Sequence, residues 1–170
     1  EKVIGPKTKA IIPVHLFGQA ADMEEILALA NKHNLYVVED NAQSIGANYT
    51  FSDGSKKKTG TLGHIGTTSF FPSKNLGAYG DGGAIFTNDD ELAHTIRGMV
   101  NHGMYIRYQH DVVGVNSRLD SIQAAILDIK LNYLDFYNES RKASALKYNQ
   151  RLADHPNLIT PFRKGDCDTH

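Results

Sequence analysis

The chain has 170 residues, a formal net charge of −1, 41% hydrophobic and 22% charged residues, and one cysteine, Cys167. A near-neutral balance excludes the general electrostatic pull toward nucleic acid or anionic membrane that a basic chain would have, and a lone cysteine excludes an internal disulfide or a cysteine zinc cluster. No apolar run approaches the roughly 20 residues of a membrane span, so the expectation is a globular protein of a reducing, cytoplasmic compartment with neither nucleic acid nor membrane as partner.

The first residues, EKVIGPKTKA, are charged and lack the apolar stretch of a signal peptide. The chain opens without Met and stops at GDCDTH without a capping or stop signal. It is therefore read as a piece of a longer protein. Ala10–Val14 (AIIPV) is a short apolar run that suits a buried strand. Asp22 stands three before Glu25, a capping-box spacing, and Met23, Ile26, Leu27 and Ala30 follow at helical spacing, so a helix is predicted over 22–33. Leu35–Asp40 (LYVVED) is the next strand, ending in two carboxylates. Strand, helix, strand with short turns makes a βαβ unit, the building block of a parallel sheet. Ligands of open parallel sheets sit at the carboxyl ends of strands, which is where Asp40 falls.

Ser52–Gly60 (SDGSKKKTG) is a polar, turn-rich insertion with its three lysines at a solvated hairpin tip. Thr67–Phe71 and Gly83–Thr87 read as two more strands. Asn88 and Glu91 repeat the capping-box spacing and open a helix through about His102, with Gly103 as its C′ residue. A loop containing YQHDVVGVNSR follows, and then a helical stretch from Leu119 to about Ala153. Ile122, Ala125, Ile126 and Ile129 mark its predicted buried face. Its length suggests a bend near Tyr133–Asp135 and a bridge between two domains, and Pro156 ends it. His15, His64, His102 and His110 have no metal-ligand spacing, so no metal is expected.

The segment SFFPSKNLGAYGDGG puts Lys74 between aromatic residues and closely spaced glycines. A surface lysine needs no such setting. A lysine held in a partly dry pocket has a reactive amine that attacks carbonyl carbons to form a Schiff base. Enzymes of pyridoxal phosphate (PLP) need such a lysine, an acid against the pyridine nitrogen, and donors for the phosphate. Lys74, Asp40 and the hydroxyls Thr67, Thr68, Ser69 and Ser73 supply each type. Taken singly, each residue has an ordinary reading as well. Asp40 would cap a short helix over NAQSIGA, Gln43 would be a surface turn residue, Ser69 a structural strand residue and Asn116 a turn former.

Five stretches taken together resemble one family: VHLFGQAADMEEI, VVEDNAQSIGA, SFFPSKNLGAYGDGGAIFTND, NHG and GVNSRLDSIQAAIL. In this order they resemble the DegT/DnrJ/EryC1/StrS sugar aminotransferases, PLP enzymes of fold type I, over about Ala10 to Leu152. The resemblance implies an α/β fold, a three-layer, mostly parallel sheet with flanking helices, as in the large domain of aspartate aminotransferase-like enzymes but incomplete. Residues 1–134 would be the C-terminal part of that PLP-binding domain, and 135–170 the long helix and the start of a small second domain at CDTH. It further implies that Asp40 pairs with the pyridine nitrogen, Gln43 contacts the cofactor's face or its 3-hydroxyl region, Ser69 holds the phosphate and Lys74 carries the Schiff base. Asn116 would reach the phosphate in the neighbouring subunit of a homodimer with shared sites.

The implied reaction is a ping-pong transamination from an amino acid, glutamate in most relatives, to a nucleotide-linked keto-sugar of cell-surface polysaccharide or deoxysugar biosynthesis. The family's glycine-rich phosphate loop and ring-stacking aromatic are not in this sequence, which leaves the activity of this stretch by itself in question. The Ser52–Gly60 insertion lengthens the connection from Gln43 to Lys74 relative to many relatives. A PLP-dependent sugar dehydratase on the same fold would have histidine at Lys74. A silent regulatory sensor, or a purely structural dimerisation core, would have no need of Lys74, Asp40 and Gln43 together.

Overall fold

The computed structural model describes residues 1–165; Cys167 and the expected start of a small domain at CDTH lie outside them. Four strands form the main sheet, β1 (Ala10–Ile11), β2 (Tyr36–Asp40), β5 (Ile65–Ser69) and β6 (Gly83–Phe86), in the order β1-β2-β5-β6. β1, β2 and β5 run parallel, with Val38 opposite Ile65 and Asp40 opposite Thr67. β6 returns antiparallel to β5, Ser69 facing Gly83. The mostly parallel α/β sheet expected from the sequence is the one found.

β1 is shorter than the predicted Ala10–Val14. Pro13 has no N–H to give to the ladder, although its carbonyl accepts from Asp40 N at 2.9 Å and Val14 still bridges to Asp40. α1 (Met23–His33) joins β1 to β2 and ends on Asn34 in the left-handed region (φ 52°). The capping box expected at its start does not form: the Asp22 side chain makes no capping bond and meets Lys164 instead. β3 (Asn48–Thr50) and β4 (Lys56–Lys58) form an antiparallel hairpin. The three lysines are therefore an exposed strand, and the turn itself is Phe51–Ser55.

α2 (Asp90–Val100) is capped by Asp89, not Asn88, whose carboxylate accepts from Glu91 N and Leu92 N. Its C′ residue is His102 (φ 61°), with Gly103 (φ 74°) one further on, where its N–H reaches Gly98 O at 2.8 Å in Schellman fashion. A Cβ on Gly103 would lie 1.8 Å from Val112 O, so only glycine fits. The loop beyond holds two short paired strands, β7 (Met104–Ile106) and β8 (Gln109–His110).

The predicted long helix is two, α3 (Ser121–Leu131) and α4 (Leu134–Leu152), broken at Asn132–Tyr133 close to the expected bend. Its buried face is not the expected one. Ile122 and Ile129 are 74% and 64% exposed, while Leu127 and Leu134 are buried.

Alternation along the strands gives the sheet two unlike faces. Val37 and Glu39 point to one, where Val37 packs with Met23 and Ala30 of α1, Leu35 and Tyr49. Ile12, Val14, Tyr36 and Ile85 point to the other and are exposed. Asp40, Thr67 and Ser69 belong to this second face. A second core cluster joins Phe70, Leu76 and Ala78 to Leu127 and Leu134.

Candidate active site

Asp40 ends β2 and Ser69 ends β5, both at carboxyl ends of parallel strands on the same, more open face. The backbone of Asp40 is fixed on both sides: its N–H donates to Pro13 O and its carbonyl accepts from His15 N at 3.0 Å. Its carboxylate accepts from Ala42 N at 3.1 Å. This is a local turn bond; residues 41–47 form turns and no helix, so Asp40 caps none. Ser69 Oγ accepts from Phe71 N at 3.2 Å, and Thr67 Oγ1 donates to Glu39 O at 3.1 Å.

The turn after Asp40 carries Gln43, and the turn after Phe71 carries Lys74. The two side chains meet in one cleft of about 290 Å³ lined by Phe17, Gln43, Ser73, Lys74, Asn75 and Arg141. A second hollow of about 470 Å³ shares Lys74, Asn75 and Arg141 and adds the rings of Phe136 and Tyr137. Lys74 is half-buried, its N–H bonded to Phe71 O at 2.8 Å. The largest hollow, about 810 Å³, lies between α2 and β6. Its lining includes Arg97 and Thr67 and none of Lys74, Gln43 or Asp40. Asn116 is apart from the Lys74 cleft. It is exposed, bridges to Asn101, and its Oδ1 accepts from Arg118 Nε at 2.9 Å.

Several residues at the site were not singled out by sequence reasoning. Phe17 has a left-handed backbone (φ 57°, ψ 28°) rare for an aromatic residue. Its N–H donates to Gln43 Oε1 at 2.9 Å, which holds its ring, 77% exposed, at the mouth of the cleft. Behind Asp40, on the opposite sheet face, Glu39 and His15 are fully buried. Glu39 accepts from His15 Nε2 (2.8 Å), Gly60 N (2.7 Å), Leu62 N (2.6 Å) and Gly63 N (2.7 Å). His15 Nδ1 accepts from Ala21 N at 3.1 Å, which fixes the proton on Nε2. Burial pushes the Glu39 carboxyl up, but the bonds from His15 and the three backbone N–H groups outweigh it and hold it below its ordinary value. The buried carboxylate thus ties the Gly60–Gly63 turn and the His15 segment to the end of β2.

The loop after Lys74 is held from α3 and α4. Asn75 Nδ2 donates to Asn138 Oδ1 at 2.6 Å, Asn138 Nδ2 donates to Ile45 O at 3.0 Å, Lys130 Nζ donates to Gly77 O, and Tyr79 N donates to Gln123 Oε1 at 2.9 Å. No sequence signal pairs residues 44 to 93 positions apart. The left-handed Phe17 had a hint in its Phe-Gly-Gln context only.

Two further histidines among the described residues have structural partners. His64 Nδ1 accepts from Val37 N at 3.0 Å, and His110 Nδ1 bonds to His102 O at 2.8 Å. Among the described residues no three His, Cys, Asp or Glu side chains are grouped as metal ligands, and no helix is long and apolar enough to cross a membrane.

An amine, an acid, hydroxyls and a carboxamide at the carboxyl end of a parallel sheet form a donor set that suits a phosphorylated aldehyde cofactor. Comparison with known proteins agrees with this chemistry. The profile of the DegT/DnrJ/EryC1/StrS aminotransferase family matches residues 1–170. The chain is 54% identical over 154 residues to a pleiotropic regulatory protein of Geobacillus stearothermophilus, covering 91% of this chain and 40% of that one. It is 52% identical over 152 residues to a UDP-N-acetyl-3-dehydro-alpha-D-glucosamine 3-aminotransferase of Acidithiobacillus ferrooxidans, covering 89% and 40%. Its fold matches the crystal structure of DesV from S. venezuelae in complex with a ketimine intermediate, with TM-score 0.92 and 44% identity over 99% of this chain and 44% of that one. The chain spans about two fifths of the length of the curated relatives it matches.

Proposed function

Because the chain belongs to the DegT/DnrJ/EryC1/StrS aminotransferase family, we propose that it carries the lysine side of the active site of a PLP-dependent sugar aminotransferase. In this reading the enzyme moves an amino group from an amino acid, glutamate, to a nucleotide-linked keto-sugar. The observation that carries it is that Lys74 and Gln43 line one cleft, while Asp40 and Ser69 end neighbouring parallel strands and share one face of the sheet. The named activity of the Acidithiobacillus relative supports a UDP-linked acceptor.

Bound PLP supplies an aldehyde carbon that exchanges amines and a ring that draws electrons from it. The protein's own groups do the rest. Lys74 Nζ would be the amine that holds the cofactor's aldehyde carbon and, when free, the base that would move a proton. Asp40 would offer its carboxylate to the pyridine nitrogen and favour a proton there. Ser69 Oγ, which accepts from Phe71 N and keeps its own hydrogen, would donate to phosphate. Gln43 has its Oε1 committed to Phe17 N–H, which leaves its amide Nε2 to turn toward a ligand. Asn116, exposed and apart from the Lys74 cleft, suits a contact with the phosphate bound in a second copy of the chain. The working form is then a cytoplasmic homodimer with shared sites, in which α4 leads from the large domain toward a smaller one.

The name of the Geobacillus relative favours a second reading, a regulatory protein that keeps the fold. Turnover of glutamate to 2-oxoglutarate separates the two. The decisive experiment is borohydride reduction of the full-length polypeptide after adding PLP, followed by peptide mass mapping. A single adduct on Lys74 is expected. No adduct, or adducts scattered over Lys56, Lys57 and Lys58, would overturn the assignment.

A further inference from the structure

The five residues after Lys74 pass through a turn at Asn75–Leu76 and a bend at Tyr79 and belong to no strand, yet Leu76, Gly77 and Ala78 are buried, with Ala78 N–H donating to Phe70 O at 2.7 Å. Their alternate residues are handled in two ways. Asn75, Gly77 and Tyr79 are gripped by Asn138, Lys130 and Gln123 in turn. Leu76 and Ala78, between them, pack in one cluster with Leu127 and Leu134. The holding residues, 123, 127, 130, 134 and 138, are spaced by four, three, four and four, one stripe along α3 and α4 that continues across the break at Asn132–Tyr133. The stripe lines the loop: its oxygen and nitrogen atoms meet the loop's polar groups, and its two leucines meet the loop's apolar ones.

We propose that Gln123, Lys130 and Asn138 are positioning residues that set the placement of Lys74. The clamp begins one residue after the lysine, whose own N–H is already tied to Phe71 O at 2.8 Å. Asn138 also reaches backward to Ile45 O, two residues after Gln43. One buried side chain thus ties the turn bearing Lys74 to the turn bearing Gln43. Gly46 lacks a side chain where Asn138 passes, since a Cβ there would lie 2.6 Å from Asn138 Nδ2. Lys130 spends its ammonium group on a backbone carbonyl, Gly77 O. Movement of the α3–α4 pair therefore carries both turns with it. The use made of Lys74 rests on the function proposed above; the clamp rests on the geometry.

The test uses the full-length polypeptide without cofactor, with Gln123→Ala, Lys130→Met, Asn138→Ala and the conservative Gln123→Glu, which keeps an oxygen for Tyr79 N. Amide hydrogen exchange is read along the loop, and reductive methylation of Lys74 is read against that of exposed Lys56. Loss of one hydrogen bond is expected to speed exchange at Tyr79 by about tenfold in Gln123→Ala, with Gln123→Glu close to the parent protein. Asn138→Ala is expected to speed exchange in both the 43–47 and 74–79 segments. Each disruptive variant is expected to shift Lys74 methylation severalfold while α1 amides and Lys56 stay unchanged. Unchanged loop exchange and Lys74 reactivity would overturn the proposal, as would a uniform rise over the whole protein, the mark of a merely structural stripe. Absence of a borohydride adduct on Lys74 in the parent protein would sink the cofactor reading alone, because the exchange measurement needs no cofactor.

Discussion

Lys74 makes its case by setting. It is half-buried in a cleft beside Gln43, and none of the described hydrogen bonds or ion pairs uses its amine to hold the fold. Lys74→Ala should therefore remove the borohydride adduct while changing stability by less than about 0.5 kcal/mol, read as loss of the modified peptide with an unchanged urea midpoint. Glu39 behaves in the opposite way. Its carboxylate is fully buried with four donors around it, and Glu39→Gln turns an N–H2 toward groups that are themselves donors. A cost of about 3 kcal/mol is expected from denaturant unfolding. The sign of its pH effect follows from its lowered pKa. The stability it contributes is fully present above the ordinary value of 4.5 and is lost as pH falls through the lower folded value. The stability gap between the parent protein and Glu39→Gln should narrow as pH drops below about 4.5; a constant gap would mean that the carboxylate is not ionised in the fold.

At the scale of elements, caps and faces decide what the pattern alone leaves open. Two neighbouring residues, Asn88 and Asp89, both suit the start of α2, and Glu91 three after Asn88 favours the first. The structure uses Asp89, because Thr87 Oγ1 accepts from Asp89 N at 3.1 Å and sets the entry of the chain one residue later. Asp89→Ala is expected to cost about 1 kcal/mol and Asn88→Ala less than about 0.5 kcal/mol; equal losses in thermal unfolding would contradict the cap. The α3 face was misread for a similar reason. Hydrophobicity points to Ile122, Ala125, Ile126 and Ile129, but the stripe facing the protein is the mixed one through Gln123, Leu127 and Lys130, since the loop it covers presents polar backbone as well as apolar side chains. The presence of β1, β2, β5 and β6, the helix α1 and the break after α3 was legible, because short runs bounded by turn residues, a 3.6-residue period and an over-long helix are local signals, although β5 begins and ends two residues before the expected Thr67–Phe71.

For the whole molecule, two groups of exposed apolar residues share an element or a face. Ile12, Val14, Tyr36 and Ile85 stand on one face of the sheet, and Ile122, Ile129, Leu131 and Phe136 on α3 and α4. Surfaces of this kind are rarely left to water. The 170-residue chain expressed by itself should bind an apolar dye and elute above its monomer mass of 18.8 kDa, whereas the full-length polypeptide should not bind the dye. A dye-free monomer from the 170-residue chain would show that these faces tolerate solvent.

The sequence by itself determined the order of strands and helices and the chemistry offered: one lysine among aromatic and glycine residues, an aspartate ending a strand, and the motif order that marks the family. These are properties of residues near one another in the chain, where spacing fixes geometry. Only the tertiary structure decided that Lys74 and Gln43 share a cleft while Asn116 stands apart, that Glu39 rather than a surface charge anchors the strand end, and that Asn138 joins the two turns. Those contacts close over long stretches of chain, and they depend on which face of each helix and strand the packing turns inward. That choice was settled here by hydrogen-bonding needs of buried backbone as much as by hydrophobicity.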